Sequence, residues 1–202
     1  KTESFTADVG IIEFAFPQRK RDDDMSDYTA LAREAGFDDA CELNTESLIV
    51  MDEVRDMCAA GKCRSYGKNW SCPPGCGTVE ECRVEIGKYA DGVLVQTVGT
   101  MDDDFDIDGI NAAQQRHKAN FAQFAAAVRG KVPDCLPLSA GTCSLCEKCT
   151  YPDTPCRFPD KRLSSMEAYG LLVSDVCRKS GMPYYRGART ITFTSCILIN
   201  KK

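Results

Sequence analysis

The stretch "ADGVLVQTVGT", Ala90 to Thr100, is a short apolar run between turn-forming residues, and it predicts the clearest β-strand of the chain. Just upstream, "GTVEEC" sets Thr78 three residues before Glu81, the pattern of a helix capping box. The helix it opens should reach about Tyr89, with Val79, Cys82 and Ile86 on one face. Downstream, the polar "DDDFDIDG" (Asp102 to Gly109) leads into a long helix over roughly Ile107 to Arg129. There Ile107, Ile110, Gln114, His117, Phe121, Phe124 and Val128 recur at spacings of three and four, which predicts one buried stripe.

Farther out, "CLPLSAG" reads as a strand, and "LSSMEAYG" pairs Ser164 with Glu167 as a second capping box whose helix should run to about Lys179. The β-branched "ARTITFTSCILIN" is the last strand. Toward the N-terminus, "IIEFAF" (Ile11 to Phe16) suits a strand, and Gln18 to Asp27 a charged surface connection. A short helix from Asp27 to Gly36, a strand over Asp39 to Leu43 and a helix from about Glu46 to Ala59 follow. Alternating strands and helices predict an α/β fold: a single compact domain over 28–202 with a mixed sheet flanked by helices and two cysteine-rich cluster-binding loops. Residues 1–27 would supply an N-terminal strand and charged connection.

The 202 residues suffice for one well-buried domain, and a charged fraction of 27% with 43% apolar residues is ordinary for a globular chain. Net charge is −5, with lysines and arginines scattered, which argues against nucleic acid or an anionic membrane as the main partner. No apolar run reaches membrane-spanning length and no secretory pattern opens the sequence, so no membrane insertion and a cytoplasmic location are expected. A homo-oligomer is compatible with the sequence.

The unusual feature is 13 cysteines beside a single histidine. An odd, clustered set fits thiolate ligands in a reducing compartment better than a disulfide framework. One histidine rules out, within one chain, sites that need two or three imidazoles.

In "GTCSLCEKCTYPDTPCRFPDK", Cys143, Cys146 and Cys149 repeat every third residue, and Cys156 follows after six. Two residues between the would-be pairs is a short loop for zinc. A triple of this spacing suits a chain wrapping one face of a [4Fe–4S] cube, with a later thiolate at the fourth corner. Zinc, or a reactive or structural thiol set, is the alternative. The other segment, "CAAGKCRSYGKNWSCPPGCGTVEEC", offers Cys58, Cys63, Cys72, Cys76 and Cys82. Cys63 and Cys72 rank first, then Cys58 and Cys76. Cys82, on the apolar helix face, suits a buried small hydrophobe at least as well as a ligand. Pro73 and Pro74 should hold the chain extended beside Cys72. Both segments run into an expected capped helix, whose free amides would favour an anionic cluster. Tyr66, Lys68 and Trp70 could shield a cluster or simply pack. His117 is expected in the core, bonded to a neighbour such as Gln114, and Cys177 and Cys196 as buried thiols.

From about Tyr28 to Ile199 the chain resembles the predicted metal-binding family catalogued as domain of unknown function 2284, found mostly in anaerobic bacteria and archaea. The likeness is carried by "CRSYGKNWSCPP" (Cys63 to Pro74), "GTCSLCEKC", "PCRFPDKR" and "SMEAYG". The resemblance implies metal or iron–sulfur binding through Cys58, Cys63 and Cys72, and through Cys143, Cys146, Cys149 and Cys156. Cys76 and Cys82 stand outside its pattern, which leaves the fourth ligand of the first site to Cys76, a distant cysteine, or none.

These readings lead to an expected protein with two [4Fe–4S] clusters, held by Cys58, Cys63, Cys72, Cys76 and by Cys143, Cys146, Cys149, Cys156. It would exchange single electrons with a partner oxidoreductase, its acidic surface steering it to a basic partner. The alternatives are an enzyme with an open-coordination cluster that binds a small substrate, and a zinc-stapled interaction module. Neither a radical-SAM triple nor a glycine-rich dinucleotide fingerprint is present.

Overall fold

The 12-residue strand β2 (Tyr89–Thr100) forms where the sequence is most apolar, and it pairs antiparallel along its length with the C-terminal strand β5 (Thr190–Lys201). The computed structural model describes residues 21–201. The expected strand Ile11–Phe16 lies outside them. Around the central pair stand β1 (Asp39–Glu42), β3 (Leu136–Ser139) and the two-residue β4 (Ser164–Ser165), in the order β1-β2-β5-β3-β4. Only β3 and β4 run parallel, so the sheet is mixed and the domain α/β, as expected.

The period-2 geometry of the strands sends successive residues to opposite faces. Val93, Val95, Ile197 and Ile199 face helices α1 (Arg21–Glu34) and α4 (Ile107–Lys131). Leu94, Cys196 and Leu198 face α3 (Val79–Gly87) and α5 (Val173–Lys179). Two apolar cores thus lie on the two sides of one sheet. The helix α4 comes so close to the sheet that a Cβ on Gly99 would sit 2.4 Å from the Ala113 methyl.

Several expectations need correction. Among the described residues helix α1 already covers Arg21 to Asp27, so that part of the expected charged connection is helical. The buried stripe of α4 holds from His117 to Val128, but Ile107 is 62% exposed, because Ala113 makes the contact with Gly99 near the helix start. The single helix expected over Glu46–Ala59 is instead a 3₁₀ turn at Thr45–Ser47, a bridge from Val50 to Leu171, and helix α2 (Asp52–Met57), which continues as a wider π-type turn over Cys58–Lys62. The second capping box does not form. Ser164 and Ser165 join the sheet, the Ala168 N–H donates to Ser165 Oγ (3.1 Å), and the short turn Glu167–Tyr169 stops at Gly170. Gly170 has φ +80°, and a Cβ there would meet the Met51 carbonyl at 2.9 Å, so glycine ends the turn and lets the chain bridge back to Val50. Helix α5 starts only at Val173.

Candidate metal centre

The first cysteine group is built by α2, the loop after it and the start of α3. Cys58 caps the end of α2, its N–H donating to the Arg55 carbonyl. The loop then folds on itself. The Gly67 N–H donates to the Pro73 carbonyl (2.8 Å), the Cys72 N–H to the Asn69 carbonyl (3.1 Å) and the Cys76 N–H to the Cys72 carbonyl (3.1 Å). The chain therefore turns at the cis Pro73–Pro74 bond and is not extended there. The expected capping box starts α3: the Glu81 N–H donates to Thr78 Oγ1 (3.2 Å), and the Thr78 N–H donates to Glu81 Oε2 (2.7 Å). That second bond holds the Glu81 carboxyl below its ordinary pKa.

The five thiols of this segment lie in a string. Cys58 feels the charges of Cys63 and Cys72, Cys76 feels those of Cys72 and Cys82, and Cys82 Sγ lies 4.0 Å from the Cys76 carbonyl. Burial, followed by the charge on Cys63, pushes the Cys58 thiol up. The neighbouring Cys82 thiol, together with burial, raises Cys76, whereas the neighbouring Cys76 thiol and the Arg55 charge lower Cys82. Cys82 is buried, as the apolar reading expects, yet it is no inert filler, because Arg55 Nη1 lies 3.6 Å from its sulfur.

The second group sits in the irregular chain between β3 and β4. Cys143, Cys146, Cys149 and Cys156 are all half-buried and line one small, open-mouthed cavity. Leu145, Phe158 and Arg162 complete it from the same segment, and Asn69, Trp70 and Ser71 from the first. Few hydrogen bonds fix this loop internally; among them are Thr150 Oγ1 to the Pro155 carbonyl and Arg157 Nη1 to the Lys148 carbonyl, both 2.9 Å. Among the described residues no three Cys, His, Asp or Glu side chains are gathered as ligands of one metal ion, so the thiols share a space without converging on a point.

The two groups adjoin. The Cys143 N–H donates to Ser71 Oγ (3.2 Å), Cys72 Sγ lies 3.5 Å from Thr142 Oγ1, and Trp70 donates Nε1–H to the Thr154 carbonyl (3.0 Å). The Trp70 ring also meets Tyr151 edge-on at 4.9 Å. Trp70 thus walls the cysteine cavity, while Tyr66 and Lys68 are exposed. This contact, and the roles of Arg55, Asn69, Ser71, Thr142 and Arg162, escaped the sequence reading.

His117 belongs to neither group. It is fully buried, its ring nitrogens paired with Thr97 Oγ1 (2.9 Å) and Ser195 Oγ (2.7 Å) and not with Gln114, and burial pushes its pKa down to about 3. Cys177 and Cys196 are buried in the core as expected, and Cys135 is buried too. With the one histidine of the chain held in the core, neither cysteine group contains an imidazole, and their thiols are the soft donors that select zinc, copper(I) or iron–sulfur clusters.

Local charge also departs from the net value. Segments 61–77 and 141–163 together carry seven basic and three acidic residues, in a chain of net charge −5. Among the described residues no helix is long and apolar enough to cross a membrane. The family model described as predicted metal-binding protein (DUF2284) matches residues 41–199. No curated protein and no solved structure matches the chain.

Proposed function

The chain belongs to this family of predicted metal-binding proteins, and from that premise we propose that it is an iron–sulfur protein with two centres, which passes single electrons to and from a partner oxidoreductase. The observation that carries the reading is the common cavity of Cys143, Cys146, Cys149 and Cys156, which brings four thiols together with no imidazole or carboxylate in its lining. Its residues suit a thiolate-held cluster: Trp70, Leu145 and Phe158 supply apolar walls beside the sulfurs, and Arg162 offsets negative charge. When bound, such a cluster takes up and releases one electron with little rearrangement of its ligands. The first group, with Cys58, Cys63, Cys72 and Cys76, would hold the other centre. Because Ser71 and Cys72 touch Thr142 and Cys143, the two centres would be neighbours.

The excess of basic residues around both groups offsets anionic centres and decides what a partner meets at this face. Local charge, rather than the net −5, would then steer the encounter. The test is the absorbance of protein purified without oxygen. A brown solution with a broad shoulder that bleaches on reduction and returns on reoxidation supports the carrier. A spectrum that shifts with a small added ligand moves the reading to an enzyme, and colourless protein with stoichiometric zinc to a stapled interaction module.

A further inference from the structure

Arg55 is 9% exposed, and among the described residues no carboxylate forms an ion pair with it. Its guanidinium is held in place by carbonyls, with Nη1 donating to Ala168 (2.9 Å) and Nη2 to Gly77 (2.7 Å). An arginine does not lose its proton in a protein, and a buried charge is costly without a counter-charge. The group set against it is Cys82 Sγ, 3.6 Å from Nη1. Beside Cys82 stands Cys76, whose carbonyl lies 4.0 Å from the Cys82 sulfur and whose thiol donates to the same Ala168 carbonyl (3.4 Å) that Arg55 uses. The fold therefore places a permanent cation, fixed by two backbone bonds, against the Cys82 sulfur, with Cys76 beside it, at the deep end of the first cysteine string. A metal–thiolate centre is the kind of anion that this arrangement lacks.

We propose that Cys82 and Cys76 are two thiolate ligands of a thiophilic metal centre in the first group, and that Arg55 is the buried counter-charge of that centre. The inference rests on the metal-binding reading and adds to it a ligand that lies outside the resemblance pattern and a positioning cation. It also orders the string: Cys72 and Cys58 come next toward the surface, and exposed Cys63 lies at the outer end.

The test uses the whole chain with Cys146→Ser and Cys149→Ser, so that metal bound reports the first group. Reconstitution with ferrous iron and sulfide, and separately with zinc, is followed by metal content, absorbance and reduction potential. Cys82→Ser and Cys76→Ser should each cut the metal held at limiting supply by at least about tenfold, and Cys135→Ser should not. Arg55→Met should weaken binding by about 10–100-fold, the usual effect of losing an outer partner, and should move the potential of an iron centre to more negative values. Arg55→Lys should recover most of both. Circular dichroism, and metal retained by the second group when these changes are made in the otherwise unaltered chain, distinguish a lost ligand from a lost fold. Should Cys82→Ser not fold, the Arg55→Met and Arg55→Lys pair decides the matter.

Parent-like metal content and spectrum in Cys82→Ser, or an unchanged affinity and potential in Arg55→Met, overturns the proposal. So does a first group that takes no metal while the second does. If the unaltered chain takes none at either group, the metal-binding reading itself falls, and this inference with it.

Discussion

The two cysteine groups adjoin but are built differently. The first is fixed by regular structure: α2 delivers Cys58, a capping box orients α3 and Cys82, and Arg55 ties the turn Glu167–Tyr169 to the loop at Gly77. The second is an irregular excursion whose thiols are all half-buried and whose walls come partly from its neighbour. A preformed site and a site that needs its ligand to hold it together can therefore share one wall. Metal should therefore shape the path of the chain less in the first group, where backbone bonds already set it, and act as a structural staple in the second.

Metal removal should expose this contrast most strongly. In chelator-treated protein, amides of 143–162 should exchange at near-free rates, while those of β2, β5 and α3 stay protected. Cys146→Ser with Cys149→Ser should reproduce that pattern and empty the second group. Equal protection in both segments would erase the distinction.

Acid should also act on the scaffold itself, through the buried histidine. His117 is held neutral in the fold, so stability is fully present above about pH 6.5, where the unfolded histidine is neutral too. It is lost as pH falls toward the folded value of about 3. The slope is about 1.4 kcal/mol per pH unit, or about 2 kcal/mol between pH 6.5 and 5. Urea midpoints of the wild type should fall faster over that range than those of His117→Gln.

Smaller changes sharpen the comparison. Thr78→Ala should cost about 1 kcal/mol through the lost cap, read as a lower urea midpoint, with loosening of α3 and no change in the second loop. Trp70→Phe keeps a ring against Tyr151 but removes the bond to Thr154. At about 0.5 kcal/mol this should roughly double the rate of proteolytic cleavage within 150–156.

The sequence carried the scaffold well where local signals agreed. The apolar run of β2, the β-branched C-terminal strand and the Thr78–Glu81 box all formed where expected, because propensity and burial favour the same state there. Local reading failed where tertiary contacts override it. Ser164 and Glu167 have capping spacing, but Ser164 is claimed by β3, and Gly170 stops the turn so that the chain can bridge back to Val50. The thiol clusters were visible from spacing alone, whereas their contact was not, since Ser71 and Cys143 are far apart along the chain. Arg55 in "EVRDM" has no local mark that separates it from a solvated helix cation. Its significance lies in Ala168, Gly77 and Cys82, which only the fold brings to it.

The most direct test is the iron and acid-labile sulfide content of the full chain purified without oxygen. The account predicts about eight of each per chain, for two cubanes, falling by half when Cys146 and Cys149 are replaced by serine. Stoichiometric zinc with no sulfide, or iron unaffected by that replacement, would contradict it.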